Sequence, residues 1–179
     1  MICIKIFKKP EQISGVGFYL APAKEEKFLA DLKRLPTKAR VPVVYSAFED
    51  DDKNGHDFLM MEALPAVSID DILQGRAELP ANFDLVNFQK DLMDFVEKMH
   101  QKNIYHRDLH EGNIMVDKET GQVYVIDFGA SARFFGQPEP GERGPYHITK
   151  NGRDIILTSD ESMVRAVIKK LRTKLTVNN

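Results

Sequence analysis

The 179-residue chain is short of cysteine, of net charge and of long apolar runs. Its single cysteine, Cys3, excludes a disulfide framework and a cysteine metal cluster. The formal net charge of −2 gives no electrostatic reason to expect binding to nucleic acid or to an anionic membrane. No apolar run approaches the roughly 20 residues of a membrane-spanning helix, and the first residues lack a signal-peptide pattern. We therefore expect a cytoplasmic protein with no nucleic-acid or membrane partner.

What remains is the composition of an ordinary globular protein. Hydrophobic residues make up 42% of the chain and charged residues 29%, which is typical of soluble domains. A chain of this length predicts one domain, or one small core divided into two lobes. We see no internal repeat and no low-complexity segment, so the whole chain is available for a packed fold.

The most informative stretch covers residues 105–129 and reads YHRDLHEGNIMVDKETGQVYVIDFG. It contains two short β-branched runs, at 114–116 and 123–126. The segment between them has a glycine, Gly121, at which a turn can form. The pattern predicts a β-hairpin.

Three polar residues stand at the outer ends of this hairpin: Asp108 and Asn113 before the first strand, and Asp127 after the second. Because a hairpin brings its outer ends together, we expect these side chains to converge. Carboxylate and amide oxygens suit Mg²⁺, which usually binds proteins through one or two carboxylates plus substrate phosphate. A further carboxylate in the same place can accept the proton of an attacking hydroxyl, as phosphoryl transfer requires.

The stretch resembles the catalytic core of the protein-kinase-like superfamily, which has an H-R-D-x-x-x-x-N loop followed by D-F-G. Here the first motif occupies 106–113 and the second 127–129. The resemblance implies ATP and Mg²⁺ as cofactors. It also implies that Asp108 is the catalytic base and that Asn113 and Asp127 hold the metal.

The same resemblance implies an α+β fold, a minimal bilobal kinase-like architecture. The N-lobe would span 1–64 and the C-lobe 65–179, with the hinge near 61–64. The N-lobe would be reduced because the family's Gly-rich loop precedes the strand lysine, and this chain has no room for it. The segment 14–19 (SGVGFY) follows that lysine, so we interpret its glycines as a turn. Either the lobe is naturally reduced or the residues belong to a longer protein.

The strand lysine of the family, which holds nucleotide phosphates, is matched by Lys5 within the β-branched run Ile2–Phe7. Periodic apolar residues predict a helix over Pro22–Leu35. The family places a glutamate that pairs with the lysine at this distance. Glu25 is our preferred partner, with the adjacent Glu26 left open as an alternative.

The run Phe58–Leu64 (FLMMEAL) predicts a strand and resembles the hinge between kinase lobes. By this resemblance Met61 would face the adenine. The backbone from Glu62 to Leu64 would then offer hydrogen bonds to the ring. The alternative is that both methionines fill gaps in the core.

Two residues beside the base depart from the common pattern. In the family Arg107 would pair with a phosphorylated activation segment, but that segment is short here, so we expect a nearby acid instead. Most Ser/Thr kinases carry lysine where this chain has His110. The Asp-x-His-x-Gly-Asn pattern is similar to aminoglycoside and choline phosphotransferases. A protonated His110 can donate to phosphate, and a purely structural role is equally open.

The rest of the chain predicts short elements around this core. We expect the helix over 81–102 and the last helix to be apolar on one face, and His100 to complement the dipole of the first of these. No A-P-E motif is present, so we expect the substrate surface to differ from that of typical kinases. The predicted elements are a strand over 41–48, a hairpin turn at Asn54-Gly55, a capped helix from Ser68 to Gly75, a helix over 81–102, an irregular stretch over 130–147, a strand or connector over 153–157, and a last helix capped by Thr158 or Ser159.

Three functions compete on these observations. The first is a compact protein Ser/Thr kinase with a protein substrate, which resembles the reduced effector kinases of pathogenic bacteria (the OspG and NleH group). That resemblance implies an activating partner similar to a ubiquitin-conjugating enzyme, and a host cytosol location. The second is a small-molecule phosphotransferase. The third is a catalytically weak binding module that keeps the kinase shape.

Overall fold

The computed structural model describes residues 1–7, 21–50, 56–133, 146–150, 153–157 and 159–177. Three predictions lie outside these residues: the turn at 14–19, the turn at Asn54-Gly55 and the cap at Thr158. Among the described residues no helix is long and apolar enough to span a membrane.

A three-stranded antiparallel sheet forms the first half of the molecule. Its strands are β1 (Ile2–Phe7), β2 (Val44–Phe48) and β3 (Asp57–Glu62), in the spatial order β1-β3-β2. The register places Lys5 opposite Leu59 on the central strand. The prediction that β2 begins at residue 41 is wrong by three residues, because the proline at position 42 has no N–H for a sheet ladder.

Helix α1 (Pro22–Leu32) packs against this sheet. Proline at the first helical position fits the start, since its missing N–H would have no intrahelical partner. Phe28, Leu29 and Leu32 form the buried stripe. The helix ends three residues before the predicted Leu35, because Leu35 precedes a proline and is pushed out of helical geometry.

The predicted hairpin is present in the second half. Strands β4 (Ala66–Ser68), β6 (Ile114–Asp117) and β7 (Val123–Val125) form an antiparallel sheet in the order β4-β6-β7. The turn between β6 and β7 uses Gly121 at a φ of 72°. That left-handed conformation favours glycine.

Two further strand pairs complete the second half. Strand β5 (Ile104–Tyr105) pairs with β8 (Ala132–Arg133), and β9 (Tyr146–Lys150) pairs with β10 (Arg153–Leu157). The predicted irregular stretch over 130–147 is therefore wrong at its described ends, since β8 and the first residues of β9 are strands. A short 3-10 helix at Phe128–Ala130 precedes β8.

The described part of the second half also contains helices α2 (Ile69–Leu73), α3 (Leu85–Gln101) and α4 (Asp160–Val177). Helices α2 and α3 pack against its strands, and α4 packs against α2 and α3. The predicted cap of α2 is confirmed, because the Ser68 hydroxyl accepts from the Asp71 N–H at 3.0 Å. Helix α3 begins four residues later than predicted, because the Asp84 carboxylate caps it by accepting two backbone N–H groups. The apolar faces of α3 and α4 meet in the core through Leu92, Phe95, Met99, Val164, Val167 and Leu171.

Candidate active site

Three charged side chains from distant parts of the chain meet between the two halves, and we call them the lysine cluster: Lys5, Glu25 and Asp127. The Lys5 ammonium donates to both Glu25 oxygens, at 3.0 and 2.8 Å, and to Asp127 Oδ1 at 2.6 Å. Glu25 is only 1% exposed, whereas the alternative partner Glu26 is half-buried. The structure thus pairs Lys5 with Glu25.

Burial and pairing act against each other in the lysine cluster. Burial lowers the pKa of Lys5, but the attraction of Glu25 and the hydrogen bonds to both acids outweigh it, so the pKa is raised. For Asp127, burial raises the pKa and the Lys5 contacts outweigh it, so the pKa is lowered. Burial dominates at Glu25 and raises its pKa despite the Lys5 charge. Lys5 and Asp127 are therefore charged at neutral pH.

The backbone after β7 fixes the position of Asp127. This residue has a φ of 60°, and its Oδ1 accepts the Gly129 N–H at 3.1 Å. The intervening Phe128 donates its N–H to Glu25 Oε1 at 3.2 Å. A Cβ atom at Gly129 would lie 3.0 Å from Asp127 Oδ1, so a larger residue there would crowd the carboxylate.

The loop between β5 and β6 carries the second group of predicted residues. The Asn113 amide donates to the Asp108 carbonyl at 2.8 Å and to its Oδ2 at 3.2 Å. The Ile126 N–H donates to the Asn113 carbonyl at 3.0 Å, which ties this loop to the residue directly before Asp127. The Asp108 carboxylate is 47% exposed, so it is open to an incoming group.

Below the loop His106 is fully buried, as predicted for a packing residue. Its Nε2 lies 3.0 Å from the Ile126 carbonyl, and its ring packs on Phe128 at 4.6 Å between centroids. Burial lowers the pKa of His106, so the ring is neutral at neutral pH. It supports the loop from below.

His110 lies on the exposed side of the loop. Its Nδ1 accepts the Gly112 N–H at 2.9 Å, and its Nε2 lies 3.7 Å from Asp108 Oδ2. A ring whose Nδ1 accepts this bond carries its proton on Nε2. Neutral His110 can therefore already donate toward the space beside Asp108, which differs from the protonated donor expected from the sequence.

Sequence reasoning missed the group that holds the base of this loop. Asp160 is 4% exposed at the start of α4, and it accepts the N–H of His106 at 2.9 Å and that of Arg107 at 2.8 Å. His100 Nε2 lies 2.9 Å from the same carboxylate, and His100 Nδ1 lies 3.1 Å from Glu161. We call Asp160, His100 and the two N–H groups the Asp160 hub.

The hub corrects one prediction. His100 contacts two specific carboxylates and does more than complement a helix dipole. The backbone N–H of Arg107, a residue with a φ of 69°, also donates to the Asp160 carboxylate. The sequence signal for Asp160 is an acid in the first turn of a helix, which does not distinguish it from the adjacent Glu161.

At the predicted hinge, Met61 is half-buried and lies opposite Cys3 on β1. The Glu62 N–H donates to the Val43 carbonyl at 2.8 Å, and the Ala63 N–H donates to the Met1 carbonyl at 3.3 Å. Both donors are thus already used. A purine would have to use the hinge carbonyls and the N–H of the half-buried Leu64.

Comparison with known proteins decides the family. The family model described as the protein kinase domain matches residues 1–149. The chain belongs to the protein kinase family. A solved structure, the kinase PK-1 of Cydia pomonella granulovirus, matches the fold with a TM-score of 0.50 and 17% identity, covering 74% of this chain and 43% of that one.

Curated relatives of this kinase chain match over parts of their length. Human mitogen-activated protein kinase kinase kinase 5 is 30% identical over 135 residues, which are 74% of this chain and 9% of the relative. The serine/threonine-protein kinase pim-2 of Danio rerio is 47% identical over 45 residues, which are 25% and 14%. The chain spans 6% to 29% of the length of the curated relatives compared.

The Mg²⁺ implied by the protein kinase family fits the residues present. Asp127 uses Oδ1 for Lys5 and Gly129 and carries a second carboxylate oxygen. Asn113 donates through its amide nitrogen, which leaves its amide oxygen as the atom for a cation. Among the described residues, no group of three or more His, Cys, Asp or Glu side chains could hold a metal. Mg²⁺ bound by Asn113 and Asp127 would take its further ligands from phosphate oxygens and water, as this cation commonly does.

Proposed function

We propose that this chain transfers the γ-phosphoryl group of ATP, with Mg²⁺, to serine or threonine hydroxyls of proteins. The observation that carries the proposal is the lysine cluster at the lobe junction, with the exposed Asp108 carboxylate on a loop tied to the same β-strand end. Ser/Thr specificity is supported by relatives that are named as serine/threonine kinases. Within this proposal the N-lobe is 1–64 and the C-lobe is 65–179.

Each side chain then has one role. Lys5 binds the α- and β-phosphates, and Glu25 holds the Lys5 ammonium in place through two hydrogen bonds. Asp108 orients the acceptor hydroxyl and accepts its proton. Asn113 and Asp127 hold Mg²⁺, which when bound neutralises charge on the phosphates.

The contact between Lys5 and Asp127 also has a role in this proposal. At 2.6 Å it joins the phosphate-binding cation directly to a metal-binding acid. An incoming nucleotide and its cation would separate the two groups, and each would gain a partner of opposite charge. We therefore expect nucleotide binding to need Mg²⁺, because nucleotide alone would leave Asp127 facing phosphate.

The remaining residues act at the edges of the site. His110 donates through Nε2–H toward the transferred group, and Arg107 holds the loop backbone through Asp160. At the hinge, Met61 faces the adenine, while the backbone from Glu62 to Leu64 bonds its edge. The contacts described above support the roles of His110 and Arg107, and the family resemblance supports those of Met61 and the hinge backbone.

A second candidate is transfer to a small molecule, favoured by the Asp-x-His-x-Gly-Asn loop at residues 108–113. The fixed His110 ring beside Asp108 is the specific observation behind it. A binding module without catalysis is the third candidate, and the retention of Lys5, Asp108 and Asp127 counts against it.

The resemblance of residues 105–129 extends the first proposal toward reduced effector kinases of the OspG and NleH type. In that case the protein would act in the cytosol of a host cell. An activating protein partner, similar to a ubiquitin-conjugating enzyme, would then support the small lobe from outside. Adding such a partner to an activity assay tests this extension, with a rise in rate as the expected result.

The experiment uses γ-labelled ATP with Mg²⁺, a protein mixture, and in parallel a panel of amino sugars and cholines. Label on protein that is lost in Asp127→Ala supports the proposal. Label on small molecules alone supports the second candidate. Nucleotide binding without transfer supports the third, and a thermal shift with ATP with and without Mg²⁺ measures that binding.

A further inference from the structure

Helix α1 contacts the second half of the molecule at another charged point besides Glu25. The Arg133 guanidinium donates to Asp31 Oδ2 at 2.5 Å. The same guanidinium lies over the Phe28 ring, 6.0 Å from its centroid. Arg133 therefore contacts two residues of α1 that are one turn apart.

Arg133 is itself fixed to the strand that leads into the catalytic loop. It pairs with Ile104 in the β5–β8 ladder. Ile104 and the following Tyr105 are buried, and His106 comes next. The ion pair thus links α1 to the same backbone segment that carries Asp108.

The position of this contact along α1 gives it a mechanical consequence. Glu25 and Asp31 are six residues apart, which is about 9 Å along a helix axis. The apolar stripe of α1 holds the helix on the sheet, and the ion pair at Asp31 adds a directional contact that opposes pivoting about Glu25. Glu25 can hold the Lys5 ammonium with two hydrogen bonds only if α1 keeps this orientation.

We propose that Arg133 is a positioning residue, whose ion pair with Asp31 orients α1 and thereby keeps Glu25 on Lys5. The proposal rests on the proposed function, because it assigns Arg133 a part in the same phosphoryl transfer. The pair orients the helix through the attraction of opposite charges, so exchanging the charges between positions 31 and 133 should preserve the orientation. Because Arg133 is 28% exposed and Asp31 44% exposed, solvent screens the pair, and we expect a partial effect.

The test exchanges the charges. Arg133→Asp and Asp31→Arg each place two like charges together, and we expect each to lower kcat/KM for ATP about five- to tenfold. The double variant carrying both changes restores opposite charges and should return to within about twofold of the wild type. Single variants at wild-type rates, or a double variant as slow as the singles, would overturn the proposal.

A matched control reverses another exposed ion pair. Arg76 contacts Asp70 and Asp71 beside α2, and its side chain is 56% exposed. Arg76→Asp should leave kcat/KM for ATP unchanged. An equal loss in this variant would mean that surface charge in general sets the rate, which contradicts a specific role of Arg133.

Hydrogen exchange gives a readout that does not need catalysis. Backbone amides of α1 should exchange faster in each single variant and return to the wild-type rate in the double variant. If wild-type protein shows no phosphoryl transfer, the proposed function fails, while the exchange data still test the ion pair. If charge reversal prevents folding, Asp31→Asn and Arg133→Gln replace it, and unchanged α1 exchange in both would refute the proposal.

Discussion

The lysine cluster and the Asp160 hub both hold the catalytic segment, but they do so differently. In the lysine cluster, side chains with 26% to 45% exposure at Lys5 and Asp127 surround one buried acid, so solvent and ligands can compete for the charges. In the hub, a buried carboxylate is saturated by two backbone N–H groups and a histidine. The comparison indicates that the side-chain contacts of the lysine cluster can rearrange when a ligand binds, whereas the contacts of the hub stay fixed.

The largest effect is expected in the lysine cluster. Lys5→Met and Asp127→Asn should each lower kcat by about 10²-fold or more, because a preorganised charge at the transferring group is lost. Both variants should stay folded, because both side chains are partly exposed. Steady-state kinetics with a protein substrate, together with thermal unfolding, checks this expectation. Unfolding of either variant would contradict the comparison.

The hub should show the opposite behaviour. Asp160→Ala leaves the N–H groups of His106 and Arg107 without their acceptor, so we expect a loss of about 3 kcal/mol in the free energy of unfolding. Denaturant unfolding measures it. Glu161→Ala, which changes the half-exposed neighbour, is the control and should cost far less. Equal losses in the two variants would mean that the hub is not a distinct anchor.

Within the lysine cluster, adjacent glutamates give a sharper contrast. Glu25→Gln replaces one of the two oxygens that accept from the Lys5 ammonium with an NH2 group, and we expect kcat/KM for ATP to fall about tenfold. Glu26→Gln changes the adjacent, half-buried glutamate and should leave kcat/KM for ATP unchanged. The two variants are measured side by side at several ATP concentrations. A larger loss from Glu26→Gln would contradict the pairing seen in the structure.

The smallest effect concerns pH. Burial raises the pKa of Asp160, but the His100 hydrogen bond and the other contacts outweigh it, so the folded pKa lies below its ordinary value. A depressed carboxylate pKa adds stability above the unfolded value, about 3.9, and this stability is lost as pH falls through the folded value. The difference in unfolding free energy between wild type and Asp160→Asn should therefore shrink below about pH 4. If the difference in unfolding free energy between the two proteins does not change as the pH falls, the result contradicts this prediction.

The same contrast explains what could be predicted from the sequence. Lys5, Glu25, Asp108, Asn113 and Asp127 belong to motifs with fixed spacing, and the hairpin between β6 and β7 follows from β-branched runs and one glycine. These residues and the hairpin can be predicted because the residue types and their spacing along the chain are enough to indicate them. The structure brings Lys5, Glu25 and Asp127 together in one group and Asp108 and Asn113 in another, and the hydrogen bond from Ile126 to Asn113 joins the two groups.

Asp160 could not be found in this way. It lies 52 residues after Asp108 along the chain, and its partners are backbone N–H groups, which every residue except proline has. The contact between Arg133 and Asp31 is hidden for the same reason, since only tertiary packing brings them together. The end of α1 was predicted wrongly because a proline follows Leu35, and the start of α3 was predicted wrongly because the Asp84 side chain caps that helix.

The most direct test of the account is transfer of labelled γ-phosphate to protein by the wild type, compared with Asp108→Asn. Asp108→Asn keeps a side chain of the same shape beside Asn113 but removes the proton acceptor. We predict labelled serine or threonine with the wild type and a rate at least about 10²-fold lower with the variant. Equal labelling by both proteins, or none by the wild type with ATP and Mg²⁺, would contradict the proposed function.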